Sequence, residues 1–260
     1  MKYLKLAMVF CFTAVVLTHC AGGPSGADYR NEVGANGLPT PRALLARYVD
    51  AIGGEDVIRS HSSTTMRGRF VLGGFGIEGD MVIYSAAPNY ISQLIELSGL
   101  GTIESGYNGE VGWSVNPLQG NSVLEGDALI DIVQQADYYL PLNYATIFPQ
   151  QETQEVTQVK GSDAYKVSMV DSRGKTTTLY FSVESALIVR TDATAASPLG
   201  DIETSTLINA YGDYAGYRLP SSLTINQAGQ EFDILISEVT FDDVTDDRFV
   251  PPAAIQSLLR

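Results

Sequence analysis

The stretch STTMRGRFVLGGFGIEGDMVI, Ser63 to Ile83, decides how the rest of the chain is read. Its apolar residues recur with a period of two. Met66, Phe70 and Leu72 share one side. After Gly73-Gly74-Phe75-Gly76, Ile77, Met81 and Ile83 share one side of the next run, and Glu78 and Asp80 take the other. Side chains alternate between the two faces of a strand. The pattern therefore predicts two antiparallel strands joined by a tight turn, each with one face toward a core and one toward water.

The same signal continues outward. Tyr90–Leu97, Thr102–Asn108 and Val111–Asn116 predict three more strands. Asn108-Gly109 between the last two predicts a hairpin, because a type I′ turn needs positive φ at both central residues. A second meander is expected from about Glu152, over Val156–Lys160, Ala164–Val170, Thr176–Val183, Leu187–Thr194, Thr204–Tyr214, Tyr217–Gln227 and Glu231–Asp242, with a loop at Ala195–Asp201. Two helical segments stand apart from the strands. In the first, Thr40 can cap, Pro41 suits the first helical position, and Leu44, Leu45, Tyr48, Val49 and Ile52 fall on one face before Gly53-Gly54 stops it. The second is an insert over 126–148, with Leu129, Ile130, Val133, Ala136 and Leu140 on one face and Pro141 ending the clean pattern. Helices do not alternate with strands, so parallel βαβ units are not expected. About eleven short strands at hairpin spacing form a sheet that must curl or close. Two helices are available to cover its concave face.

The chain begins with Lys2 and Lys5, an apolar run from Leu6 to Leu17, then Thr18-His19-Cys20. That run is shorter than the about 20 residues a spanning helix needs. Its three-part build is that of a secretory signal, which predicts export. Leu17-Thr18-His19-Cys20 resembles the cleavage motif of bacterial lipoproteins, in which the cysteine is lipidated, except that His19 stands where a small residue is usual. Ordinary cleavage near Cys20 is the alternative. Lipidation of Cys20 would hold the protein on a membrane, since stable anchoring takes two signals such as two acyl chains. Residues 21–38, rich in glycine and proline, read as a flexible tether.

Composition narrows the chemistry. Thirty acidic residues against 16 basic ones give a formal charge of −14. Nucleic acid is thereby excluded as an expected partner, because affinity for it comes from neutralising phosphates. Beyond the signal, no cysteine except Cys20 remains, so no internal disulfide is expected. His61 is then the only histidine, too little for a zinc site or a convincing Ser-His-Asp triad. Glu78 with Asp80, and Glu96 with Glu104, read as the wet face of a half-buried sheet rather than paired acids for hydrolysis. Asp242, Asp243, Asp246 and Asp247 lack the glycine and closing glutamate of a calcium loop. Neither a cofactor nor a metal nor a catalytic residue is expected.

Four motifs in order carry a family resemblance: Ala46–Gly54, ARYVDAIGG; Glu104–Trp113, ESGYNGEVGW; Leu179-Tyr180-Phe181-Ser182 with Leu187-Ile188-Val189-Arg190; and Tyr211-Gly212-Asp213-Tyr214 leading to Tyr217-Arg218-Leu219-Pro220. Over residues 43–251 the chain resembles the outer-membrane lipoprotein-sorting proteins, the LolA-like and LolB-like superfamily, in an uncharacterised bacterial branch. The resemblance implies a mainly β (α+β) fold: a large curved antiparallel sheet forming a half-open β-barrel, covered by the N-terminal helix and the central helical insert. The expected organisation is a signal over 1–20, a tether over 21–38, one domain over 39–253 and a C-terminal tail over 254–260.

A hydrophobic cavity for acyl chains of lipids or lipoproteins is implied, with Phe70, Met81, Ile83, Ile95, Trp113, Leu129, Val133 and Tyr138 as candidate lining residues. The expected place is the periplasm, anchored to the outer membrane through Cys20, as a carrier or receptor. The alternative is a structural or accessory subunit of an envelope complex, with a filled core, no ligand and a protein partner.

Overall fold

The computed structural model describes residues 29–117, 119–195 and 201–260. The secretory signal, Cys20, the first part of the expected tether and most of the 195–201 loop lie outside the described residues.

Thirteen strands form one antiparallel sheet: β1 (Ser63–Leu72), β2 (Ile77–Ala86), β3 (Tyr90–Leu97), β4 (Gly101–Asn108), β5 (Gly112–Asn116), β6 (Gly120–Val123), β7 (Gln150–Val159), β8 (Ser162–Val170), β9 (Thr176–Ser182), β10 (Ile188–Ala195), β11 (Ile202–Tyr214), β12 (Tyr217–Gln227) and β13 (Gln230–Phe241). Their order in space is β6-β5-β4-β3-β2-β1-β13-β12-β11-β10-β9-β8-β7. Each half is a meander, and the halves meet where β1 pairs antiparallel with β13, from Thr64↔Phe241 to Val71↔Asp233. The edge strands β6 and β7 do not pair, so the sheet is a half-open barrel. Strand twist makes a flat sheet of this width unfavourable, and curvature gives it a concave side.

Among the described residues, five α-helices accompany the sheet: α1 (Pro41–Ala51), α2 (Glu55–Arg59), α3 (Gly126–Ala136), α4 (Leu140–Ile147) and α5 (Ala253–Gln256). The expected cap is present, with Thr40 Oγ1 accepting from Ala43 N at 3.2 Å and Pro41 in the first turn. Helix α1 ends against the β11–β12 hairpin, where Arg218 N donates to Ile52 O at 2.9 Å. Gly53, at φ 128°, is required there, because a Cβ would lie 2.4 Å from Gly216 O. Helices α3 and α4 join β6 to β7, the two outermost strands. A connection between opposite edges of a curved sheet must cross its open side, and this places both helices over the mouth.

Two large apolar clusters result, with a small third one around Val159, Ala164 and Tyr180. One combines β1–β4, β12 and β13 with Ile132 and Ala136 of α3. The other packs α1, α2 and α4 on β8, β9 and β12, around Leu44, Tyr48, Tyr144, Met169, Leu179 and Phe181.

The structure corrects the sequence reading in several places. Strand β6 went unread because Gly-Asn-Ser-Val shows no apolar alternation. Pro141 does not end a helix. It sits in the first turn of α4, where the missing N–H costs nothing. Ile132, not Ile130, joins the buried face of α3, and Ile130 is exposed.

The part of the expected tether that is described, residues 29–38, is docked on the domain. Arg30 pairs with Asp50, Arg42 lies over the Tyr29 ring, and Asn36 Nδ2 donates to Thr153 O at 2.7 Å. Within the expected tail over 254–260, Ile255 is docked and buried, whereas 256–260 are exposed. A short 3-10 helix (Asp246–Phe249) touches β3 and β4, and α5 touches β5 and β6, so the C-terminal segment covers the outer face of the sheet and buries Phe249 and Ile255.

Beneath that segment Trp113, the only tryptophan, is fully buried opposite Gly106. Truncation after Thr245 is expected to expose the indole, shifting its emission to the red and lowering stability. Unchanged emission would show that the segment is not its cover. Gly106→Val should cost at least about 2 kcal/mol in urea unfolding, because a Cβ there meets the Trp113 ring at 2.3 Å.

Candidate functional site

Pairing register sorts the concave face of β1–β5 into rows. The first row is Thr64, Ser85, Ile91, Tyr107 and Gly112; the second is Met66, Ile83, Gln93, Ser105 and Ser114. Beyond them lie Gly68, Met81, Ile95 and Ile103, then Phe70, Gly79 and Leu97, then Leu72 and Ile77. The adjoining strands add Ile234, Phe232, Leu223 and Ile225. The face is therefore mixed and hydroxyl-bearing at one end and apolar at the other. None of these positions is charged.

Helix α3 covers the mixed end. Its Leu129 and Ile132 lie over Gly112, where a Cβ would come within 2.9 and 3.1 Å of them. Two residues past the helix end at Ala136, Tyr138 N donates to Pro88 O at 3.1 Å, and its hydroxyl shares a hydrogen bond of 2.7 Å with Thr64 Oγ1. The helix thus runs across β5, β4 and β3 toward β1. Burial pushes the Tyr138 hydroxyl well above its ordinary pKa, so it stays a neutral donor and acceptor. Burial does the same to Tyr48, Tyr144, Tyr211 and Tyr217 in the second cluster.

Seven of the eight sequence candidates lie on this concave side. Phe70, Met81, Ile83, Ile95 and Tyr138 are buried, and Leu129 and Val133 pack half-buried against the cluster. Trp113 does not belong with them. It shares the outer face with Glu104, to whose Oε1 its Nε1 donates at 3.0 Å. The alternation of β5 turns Gly112 inward, because only a small residue admits α3 so close to the sheet, and Trp113 must then point out.

The charged cluster that secures the helix was not read from the sequence. Arg173, in the β8–β9 turn, lies 2.6 Å from Asp171, 2.9 Å from Asp131 and 3.4 Å from Asp127. Lys175 Nζ lies 2.8 Å from Asp131, and Gln134 donates to Asp171 at 3.3 Å. Asp127, Asp131 and Gln134 belong to α3, so this network ties the helix to the far meander. Burial raises the Asp171 carboxyl, but hydrogen bonds from the Arg173 side chain and from the backbone of Lys175 and Arg173 outweigh it and hold the pKa below its ordinary value.

Elsewhere the chemistry is sparse. Two outer clefts are polar: one of about 400 Å³ lined by Thr178, Arg190, Asp192, Glu203 and Asn226, and one of about 540 Å³ lined by Arg69, Glu78, Asp80, Glu96 and Thr102. Among the described residues no group of three or more His, Cys, Asp or Glu is placed to hold a metal ion. His61 stacks on Phe241 at 4.0 Å, with Nδ1 2.9 Å from Asp242. Burial raises the Asp242 carboxyl, but hydrogen bonds from His61 and Ser62 lower it to about 2. This pair ties α2 to the end of β13.

No protein-family model matches the sequence, and no curated protein matches it. Solved structures match its fold. A DUF1329 family protein from Desulfovibrio piger superposes with a TM-score of 0.55 at 13% identity, covering 80% of this chain and 96% of the other. A LolA superfamily protein from Nitrosomonas europaea superposes with a TM-score of 0.54 at 12% identity, covering 82% of this chain and 98% of the other. The chain has the LolA-like fold.

Arg173→Met leaves Asp171 and Asp131 short of a partner in a nearly closed site and is expected to cost about 3 kcal/mol in thermal unfolding near neutral pH. The folded pKa of Asp171 is depressed, so its contribution is complete above the ordinary carboxylate value, about 4, and is lost as pH falls through the folded value. The cost of Arg173→Met should shrink over that same acidic window. A cost independent of pH would assign it to packing instead.

Proposed function

We propose that the protein is an exported, non-enzymatic envelope protein, lipid-anchored through Cys20, that holds acyl chains of lipids or lipoproteins on the concave face of its half-open barrel. The observation that carries this reading is the set of apolar rows from Gly68–Met81–Ile95–Ile103 to Leu72–Ile77, facing Ile225, Phe232 and Ile234 on the helix-covered side of the sheet. Phe70, Met81, Ile83 and Ile95 would line the chain-binding end, with Leu129, Val133 and Tyr138 on the cover. The driving force is removal of the chain from water. At about 0.8 kcal/mol per CH₂, a long acyl chain gains on the order of 10 kcal/mol before binding costs. The LolA-like fold and the secretory signal support this reading.

Entry requires α3 to move. The helix covers the mixed end of the face and is held to the β8–β9 turn by ion pairs rather than by a continuous apolar interface. Its release would open the way to the apolar rows. Anchoring at Cys20 would keep the mouth close to a membrane while the acidic surface avoids lying flat on anionic headgroups.

Native mass spectrometry of protein purified from its own envelope should show bound lipid, and Arg173→Met should exchange a fluorescent acyl probe faster than the wild type. Repeated recovery of lipid-free protein that takes up no such probe would refute acyl binding. Cys20→Ala should move the protein from the membrane to the soluble envelope fraction. If the variant stays membrane-bound, the anchor lies elsewhere.

A further inference from the structure

Three side-chain amides are buried without a partner for one of their polar atoms: Gln93 Nε2, Gln135 Nε2 and Asn143 Oδ1. Each residue is more than nine-tenths buried. A polar atom so placed loses its hydrogen bonds to water and gains none, at a cost that folding alone does not recover. Two lie where α3 covers the sheet, and the third lies at the corner between α3 and α4. Gln93 sits in the second row of the concave face, between Ile83 and Ser105, on a strand that α3 crosses. Gln135 lies on the last turn of α3, between Ile132, which covers Gly112, and Tyr138, which reaches Thr64. Asn143 is on α4 and reaches back to the α3–α4 corner through Nδ2, 3.5 Å from Asp137 Oδ2. Gln93 and Gln135 thus lie at the end of the concave face that α3 covers and from which the apolar rows begin, and Asn143 lies at the adjoining α3–α4 corner.

The charges nearby are of the wrong kind for an anion. The inward positions of β1–β5 carry no charged residue, and α4 carries none at all. At the α3–α4 corner the charge is the carboxylate of Asp137, which accepts from Tyr139 N and Asn143 Nδ2. The neighbouring cations are engaged: Arg173 and Lys175 with Asp131, and Arg59 with Glu55. A fatty-acid carboxylate brought to these amides would be desolvated beside an acid and without a cation. A neutral carbonyl would accept from an amide N–H without that cost, and a neighbouring hydroxyl could donate to an amide oxygen.

We infer that the mouth recognises the linkage of an acylated ligand: the chain lies along the apolar rows, and Gln93, Gln135 and Asn143 hydrogen-bond an uncharged ester or amide and the polar head next to it, so that esterified or amide-linked acyl groups are selected over free fatty acids. This rests on the acyl-binding reading above and adds the chemical class of the ligand to it.

The test compares 1-monooleoylglycerol with oleate, which share a chain and differ in head, by displacement of a fluorescent acyl probe from the delipidated protein. The ester is expected to bind at least about tenfold more tightly than the acid, because its neutral carbonyl can take up the amide donors, whereas a carboxylate brought to them is desolvated beside Asp137 with no cation to pair it. Gln93→Leu with Gln135→Leu should remove most of that preference, by weakening the ester and leaving oleate unchanged. Equal or tighter binding of oleate to the wild type overturns the inference and leaves acyl binding standing, and so does a double variant that keeps the full preference. Binding of neither probe overturns acyl binding itself. The wild-type comparison needs no variant and decides the matter if the double variant fails to fold.

Discussion

Backbone pairing between β1 and β13 is the constraint on which the rest of the structure depends. It joins two meanders that are otherwise separate in sequence, and it puts the first and last strands at the middle of the sheet. The two edges are then β6 and β7, which follow one another in the chain. The segment between them must travel from one edge to the other, and the shortest course runs across the open side. A cover over the concave face is thus a consequence of topology before any side chain is considered. What side chains decide is how the cover is seated.

That seating uses two kinds of contact. On the near meander, α3 packs Leu129, Ile132 and Val133 onto a mixed face of apolar and hydroxyl-bearing residues, with Gly112 making room for the approach. On the far meander it is held by charge, through Asp127, Asp131 and Gln134 to Arg173, Lys175 and Asp171. Apolar packing is insensitive to direction, whereas the ion pairs need particular geometry and can be exchanged for water. The far side of α3 is therefore the one that can let go. The interior beneath it is graded from polar to apolar, which is the basis of the proposed ligand with a neutral head and a long tail.

Much of the architecture was legible in the chain. Met66, Phe70 and Leu72, and Ile77, Met81 and Ile83, do turn inward together, because period-two alternation is a property of the strand itself. The Thr40 cap and the Gly53-Gly54 stop of α1 were equally local signals. The site was legible only in part. Trp113 looked like a lining residue because aromatics suit apolar pockets, but its face depends on the register of β5 against β4 and on the need for glycine under α3. The C-terminal segment that buries Trp113 gave no local hint of docking. Arg173 and Asp171 read as an ordinary turn, since their partners on α3 lie about 40 residues away in the chain.

The sequence by itself determined the strand pattern, the antiparallel class, the first helix and the scarcity of cysteine and histidine, because periodicity, caps, turns and composition are local or additive properties. Tertiary structure decided which strand is central, which edge faces which, where α3 lies, and which polar groups are buried without partners. Those depend on long-range pairing between β1 and β13 and on the crossing from β6 to β7, and no local pattern encodes the distance between segments that meet only after the sheet has curved.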